Sequence, residues 1–250
     1  MWGGMYPGDD YYQIVIGMAK GNGVKEVLNQ IESLELGYKG IQMNMVMADD
    51  SGDIGYAMLA PVPKRRSSIP YHSSRVLNGE ITEFDWEGSL IPGSDYPRSI
   101  NPERGYFVTA NNRQVSDHSR FDFCASSTST PRAERIAELI ESKIKQGLKF
   151  SPQDVSAIQQ DDTDVFARKV APKLIHILEK GARSHVEIEV LREIQPFFRD
   201  WEGRFNIESV AASIYSYTLL FWQRELLPES LFPTLEDRLK ITENHAFLDF

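Results

Sequence analysis

The chain carries a single cysteine, Cys124, in 250 residues. That count excludes an internal disulfide and supplies no thiolate pair for a metal site. At the end of an aromatic run, Cys124 reads as a packed small residue rather than a nucleophile. Basic residues are the minority charge: 27 Lys and Arg against 36 Asp and Glu leave a formal net charge of −9. The basic clusters are short and form no stripe that could neutralise phosphates, so nucleic acid is not an expected partner. No apolar run approaches the ~18 residues that cross a bilayer, so no membrane span is expected. The opening residues, MWGGMYPGDDYYQ, lack a basic start followed by an apolar stretch and read as a loop, not a signal peptide. Cellular location is left open. Internal repeats and low-complexity tracts are also missing.

What is present suffices for a core, since 41% of the residues are hydrophobic. Residues 11–36 predict helix, interrupted at Gly21-Asn22-Gly23. Val24, Val27, Leu28, Ile31 and Leu34 recur at intervals of three and four, and Gly37 follows as a stop. From Gly40 the period changes to two. Ile41, Met43, Met45 and Met47 alternate with Gln42, Asn44, Val46 and Ala48, then a turn at Asp50-Ser51-Gly52 leads into a partner strand, Asp53 to Ala60. Pro61-Val62-Pro63 ends this hairpin. Residues 67–103, rich in Pro, Gly, Ser and Asp, predict a long ordered loop, and Gly105 to Ala110 a short strand running into Asn111-Asn112.

Beyond Thr130 the pattern is helical. Thr130 is placed to cap a helix with Pro131 at its first position, an apolar stripe of Ile136, Leu139, Ile140 and Ile144, and Gly147 as the stop. Ser151-Pro152-Gln153-Asp154 and Ser184-His185-Val186-Glu187 read as capping boxes. A helix from about Asp164 to Glu179 contains Pro172. The last long helix, about Ile207 to Leu227, carries Val210, Ile214, Tyr217, Leu220, Phe221 and Arg224 at helical spacing. A β-containing first half followed by a helical second half predicts an α+β fold.

Asn111 is the polar residue of most chemical interest. A side-chain amide at a rigid strand end can donate to a developing oxyanion, and one such donor supplies roughly 3 kcal/mol to an acyl-transfer transition state. On spacing alone, Asn111 and Asn112 read first as turn residues, because Asn tolerates left-handed φ. Arg135, beside Glu134 and one turn from Arg132, reads by itself as an exposed helical charge. His72, His118, His176, His185 and His245 fall into no Ser/His/Asp order.

Several stretches, taken in order, resemble the nucleophile-bearing subunit of the penicillin acylase (penicillin amidase) family of N-terminal-nucleophile hydrolases. Asp50-Ser51-Gly52-Asp53-Ile54-Gly55-Tyr56 is similar to the family's Gly-Asn-Ile-Gly-Tyr strand before a Pro-containing loop, with Asp53 where Asn is usual. Asp85-Trp86-Glu87-Gly88 matches a Trp-x-Gly segment. Asn101-Pro102, Gly105-Tyr106 and Ala110-Asn111-Asn112 match the next run, and Arg132-Ala133-Glu134-Arg135-Ile136 the motif after it. Asp200-Trp201-Glu202-Gly203 resembles a later Trp-containing motif. The resemblance spans roughly Tyr11 to Leu227.

The resemblance implies part of an αββα fold, with residues 1–250 a single incomplete domain: a β-containing part, 1–129, with the long loop 67–103, and a helical part, 130–250. It implies Asn111 as the oxyanion-stabilising amide and Arg135 as the arginine organising charge near the nucleophile's amino group. Asp122 stands where the family has a calcium ligand; no cofactor is otherwise expected, with calcium reserved for the complete protein. The nucleophile is a serine exposed by self-cleavage, and its Ser-Asn-x-Trp context does not occur here, so it is expected outside this chain. The implied activity is hydrolysis of linear amides, such as penicillin or N-acyl compounds, through an acyl-enzyme. The expected partners are a small-molecule amide and the missing acylase subunit or flanking segments, with this chain alone inactive. The alternative is a truncated, inactive relative serving as a binding or structural module.

Overall fold

The computed structural model describes residues 8, 10–20, 23–66, 77–116, 119, 121, 123 and 130–226. Its chain contacts cluster into two compact units, Met1–Thr109 with Arg113–Ser127, and Ala110–Asn112 with Thr128–Phe250. Helices together with a few antiparallel strands make the fold α+β.

The first unit is built on the hairpin. Strands β1 (Met43–Ala48) and β2 (Ile54–Leu59) pair antiparallel, Met43 opposite Leu59 and Ala48 opposite Ile54. The alternation works as read: Met45 and Met47 are buried while Asn44 falls on the other face of the strand. Helices α1 (Asp10–Ala19) and α2 (Val24–Glu32) precede the hairpin. Val24, Val27, Leu28 and Ile31 of α2 join Met45, Met47, Ala57 and Leu59 in one apolar core. Gly55 lets helix and strand meet, because a Cβ there would lie 2.4 Å from Val24 Cγ1. The middle glycine of Ile54-Gly55-Tyr56 is thus a packing requirement.

The region expected as a continuous loop contains more structure than its composition indicates. Strand β3 (Pro63–Arg65) pairs with β4 (Trp86–Leu90) in a small second sheet. Strand β5 (Arg98–Ile100) adds to the hairpin, Tyr56 facing Ser99. These strands are three to five residues long, too short to leave a period in the sequence. Pairing with distant residues defines them. In contrast, Tyr106–Thr109, predicted as strand, has no regular secondary structure.

The second unit consists of helices α3 (Pro131–Lys145), α4 (Pro152–Gln159), α5 (Val165–Gly181), α6 (His185–Phe198) and α7 (Val210–Leu226). Both expected capping boxes form, at Ser151 with Asp154 and at Ser184 with Glu187. Thr130 does not cap α3; its hydroxyl instead donates to Glu134 Oε1 at 3.1 Å. Of the α7 residues at helical spacing, Val210, Tyr217 and Phe221 are exposed and Ile214 and Leu220 half-buried, and the buried positions are Ala211, Ala212 and Tyr215. Tyr215 packs with Ala167 and Ala171 of α5, where small side chains permit close approach.

Candidate functional site

Asn111 lies in the loop after Ala110 with φ 63°, a left-handed conformation that Asn tolerates better than most residues. The loop is held locally. The Ala110 N–H donates to Asn112 Oδ1 at 3.0 Å, and Ala110 itself is buried. Twenty-one residues on, Arg132 turns back to the loop, its Nη2 donating to Ala110 O at 2.9 Å and to Asn111 Oδ1 at 2.7 Å. A guanidinium on Oδ1 fixes which way the amide is turned and sends its NH2 group to the opposite side. It also draws electron density from the amide, which strengthens the remaining N–H donors.

Arg135, one turn further along α3, does not meet Asn111 through any of its hydrogen bonds. Its Nε and Nη2 each donate at 2.8 Å to the two oxygens of Asp161, and Nη1 reaches Glu138 Oε2 at 3.1 Å. Glu138 also pairs with Arg168, and Lys169 pairs with Glu134 at 2.6 Å. The Arg135 fork holds the Asp161 carboxyl below its ordinary range, and in return the guanidinium pKa is raised, chiefly by Asp161. This network ties α3 to α5 and to the segment that leads into α5. In the sequence Arg132 reads only as a neighbour of Arg135 on the same helix. Its one distinguishing mark was its place at the second helical position, within reach of a loop earlier in the chain.

Other motif residues turn out to be clamps. Asp53 Oδ1 accepts from Asn101 Nδ2 at 2.7 Å, Asp53 Oδ2 pairs with Lys25 at 2.6 Å, and Asn101 Oδ1 accepts from the Ile54 N–H at 2.9 Å. The lysine contact comes first among the causes that hold the Asp53 carboxyl low. Asp49, at the other end of the turn, accepts from the Val24 N–H at 2.9 Å and so caps a helix that has no side-chain cap of its own. In the second unit, Trp201 stacks edge-on against Phe198 at 5.6 Å and lies 5.5 Å from Tyr215. Gly203, with φ 78°, brings its backbone to that of Asp164, where a Cβ would come within 2.5 Å of the Asp164 carbonyl oxygen.

Asp122 lies outside the described residues, as does Cys124. Among the described residues no group of three or more His, Cys, Asp or Glu is placed to hold a metal ion. No helix among the described residues is long and apolar enough to cross a membrane. An open cleft of about 320 Å³ lies beside α2 and β5, lined by Leu28, Asn29, Ile100 and the paired Glu32 and Arg98. It shares no residue with the Asn111 loop.

The sequence model of the penicillin amidase family matches residues 1–249. The chain is 31% identical over 187 residues to a penicillin acylase 2 proenzyme of Pseudomonas sp. (strain SE83), covering 75% of this chain and 22% of that protein. It is 26% identical over 206 residues to the acyl-homoserine lactone acylase QuiP of Pseudomonas fluorescens, covering 80% and 24%. The chain therefore spans less than a quarter of either relative. Among solved structures it resembles a thermostable penicillin G acylase from Alcaligenes faecalis, with a TM-score of 0.58 and 21% identity over 87% of this chain and 38% of that one. This last likeness is one of fold.

Proposed function

The chain belongs to the penicillin amidase family, and from that premise we propose that it forms the oxyanion-stabilising part of an amidohydrolase acting on linear amides. The observation that carries the reading is the Asn111 amide, held in a left-handed loop with its oxygen taken by Arg132. In acyl transfer a hydroxyl nucleophile adds to the substrate carbonyl, the oxygen becomes an anion, and the intermediate collapses to an acyl-enzyme as the amine leaves with a proton. Water then adds to the acyl-enzyme through a second oxyanion. An N–H that is fixed beforehand and turned away from Arg132 suits both steps, because no donor has to reorganise as the charge develops.

In this reading Asn111 donates and Arg132 is its positioning residue. Arg135, joined to Asp161 and Glu138, ties α3 to the segment that leads into α5. The serine nucleophile and the acyl pocket belong to sequence outside these 250 residues, supported by the short span of each relative that the chain covers. The relatives are named as acylases of penicillin and of acyl-homoserine lactones, which supports an N-acyl compound as the substrate class.

The test is steady-state kinetics on the complete protein with phenylacetyl and fatty-acyl amides. Asn111→Ala is expected to lower kcat by about 100- to 1,000-fold with little change in KM. Arg132→Ala is expected to lower kcat by a smaller factor, and Arg132→Lys to recover part of it. An unaltered kcat in Asn111→Ala removes the assignment. The isolated 250-residue chain is expected to show no turnover, and turnover abolished by Asn111→Ala in that chain would contradict the external nucleophile. Absence of turnover in the complete protein favours the alternative of a binding or structural module.

A further inference from the structure

We propose that Asn78-Gly79 is a self-modifying site, at which the Gly79 nitrogen attacks the Asn78 side chain and converts it to aspartate and isoaspartate. Asn78, Gly79 and Glu80 are exposed, in a turn closed by the Ile81 N–H donating to Asn78 O at 3.2 Å. Within it the Glu80 N–H donates to Asn78 Oδ1 at 3.0 Å, an Asx turn. That bond makes Cγ a better electrophile and stands where the oxyanion of the addition step would form, a one-donor counterpart of an oxyanion hole. The nucleophile is the adjacent Gly79 nitrogen, whose N–H makes no hydrogen bond among the described residues. The space around it is open, since a Cβ on Gly79 would meet nothing within 4 Å. Glycine is also the residue whose backbone turns most freely to bring its nitrogen onto the preceding Cγ.

Other asparagines lack one or more of these features. Asn101 precedes Pro102, whose nitrogen has no proton to lose. Asn29 lies within α2 and Asn44 within β1. Asn206 precedes the β-branched Ile207. The second Asn-Gly pair, Asn22-Gly23, includes a residue outside the described set and forms no part of the proposal.

The chemistry balances without an oxidant or cofactor. Gly79 N gives its proton to hydroxide and bonds to Asn78 Cγ, and the tetrahedral intermediate expels the side-chain nitrogen as ammonia, leaving a cyclic imide. Water opens either imide C–N bond, giving aspartate or isoaspartate. One amide and one water become one carboxylate and one ammonium, and the formal charge of the chain falls by one from −9. The isoaspartate product routes the main chain through an extra methylene. That lengthening falls just before the 3₁₀ turn Thr82–Phe84 and β4.

The test ages the purified protein, with whatever further chain accompanies it, at mildly alkaline and mildly acidic pH. Its readout is the tryptic peptide 76–98, in which Asn78 is the sole carboxamide side chain. The expected result is the amide-to-acid mass gain on this peptide, faster under alkali, with two chromatographic forms, one of them accepted by an isoaspartate methyltransferase. Asn78→Gln is expected to abolish the gain, and Gly79→Ala, which the open space accommodates, to slow it severalfold. Two results overturn the proposal: a peptide that stays amidated in the folded protein, whether or not the urea-unfolded chain converts, or a Gly79→Ala protein that converts as fast as the parent.

Discussion

The first unit closes over a contiguous apolar core. Ile31, Tyr38, Ala57, Leu59 and Ile91 are fully buried, and even its phenols are used, with Tyr38 Oη donating to Ile41 O and Tyr96 Oη to Ala60 O. Burial pushes the Tyr96 phenol up to about 12. The second unit has a core cluster of Ala167, Ala171 and Tyr215, and α3, α4 and α6 contribute no buried residue to it. Its large apolar side chains are often outside: Val186 is 68% exposed, Ile177 64% and Tyr217 64%. Its α5 and α7 meet through that cluster, whereas α3 is joined to α5 and the segment before it by charge, through Arg135 with Asp161, Glu138 with Arg168, and Glu134 with Lys169. The first unit thus relies chiefly on non-directional burial, and the α3 side of the second on directional pairing. The proposed site, the Asn111 loop with Arg132, belongs to the region ordered by direction, as an oriented donor requires.

The sharpest way to break this comparison is to truncate one large apolar side chain in each unit. Ile31→Ala in the first unit is expected to cost about 3–4 kcal/mol, because the side chain is wholly buried and the cavity cannot collapse freely. Phe221→Ala in the second, at a position 55% exposed, is expected to change stability by about 0.5 kcal/mol or less. Urea denaturation of both variants measures the difference. Equal losses would show that the second unit buries more than the described residues do.

A middle-sized effect is expected from the charge network. Asp161→Asn keeps the size of the side chain but removes the charge that faces the Arg135 fork, at an expected cost of about 1–2 kcal/mol. The pH dependence gives an independent check. The folded carboxyl of Asp161 is held below its ordinary value, so its contribution is fully present above about pH 4 and is lost as pH falls through the lowered folded value. Asp161→Asn is expected to flatten that part of the acid limb. An unchanged slope would assign the acid sensitivity to other carboxyls held low, among them Asp49 and Asp53 in the first unit and Asp154 and Glu187 in the second.

Legibility from sequence followed the range of the interactions. The hairpin was readable because its period of two runs unbroken from Met43 to Ala48, and the boxes at Ser151 and Ser184 because a cap involves residues three apart. The short strands β4 and β5 were not, since pairing with β3 and β2 creates them. The buried face of α7 is not legible for a different reason. Hydrophobicity selects the largest side chains, whereas close packing on Ala167 and Ala171 selects small ones and Tyr215. At the candidate site Asn111 was readable as a polar residue in a loop. Its partner was not, because the Arg132 bond closes a span of 21 residues that carries no period of its own.

A last effect, neutral or of opposite sign, concerns the Tyr215 hydroxyl in the small core of the second unit. Tyr215 is 2% exposed, and its hydroxyl finds no hydrogen-bond partner among the described residues. Burial comes first among the causes that raise its pKa, with the nearby Asp164 charge adding to it. A buried hydroxyl without a partner has lost its water bonds and gained none in return, whereas the phenyl ring of Phe keeps the stacking on Trp201 and Phe205. Tyr215→Phe is therefore expected to be neutral or to stabilise the protein by up to about 1 kcal/mol. Destabilisation of that size, seen as a lower urea midpoint at constant slope, would mean that the hydroxyl is bonded in the folded protein. The second unit would then rely on directional bonds even at the centre of its apolar core.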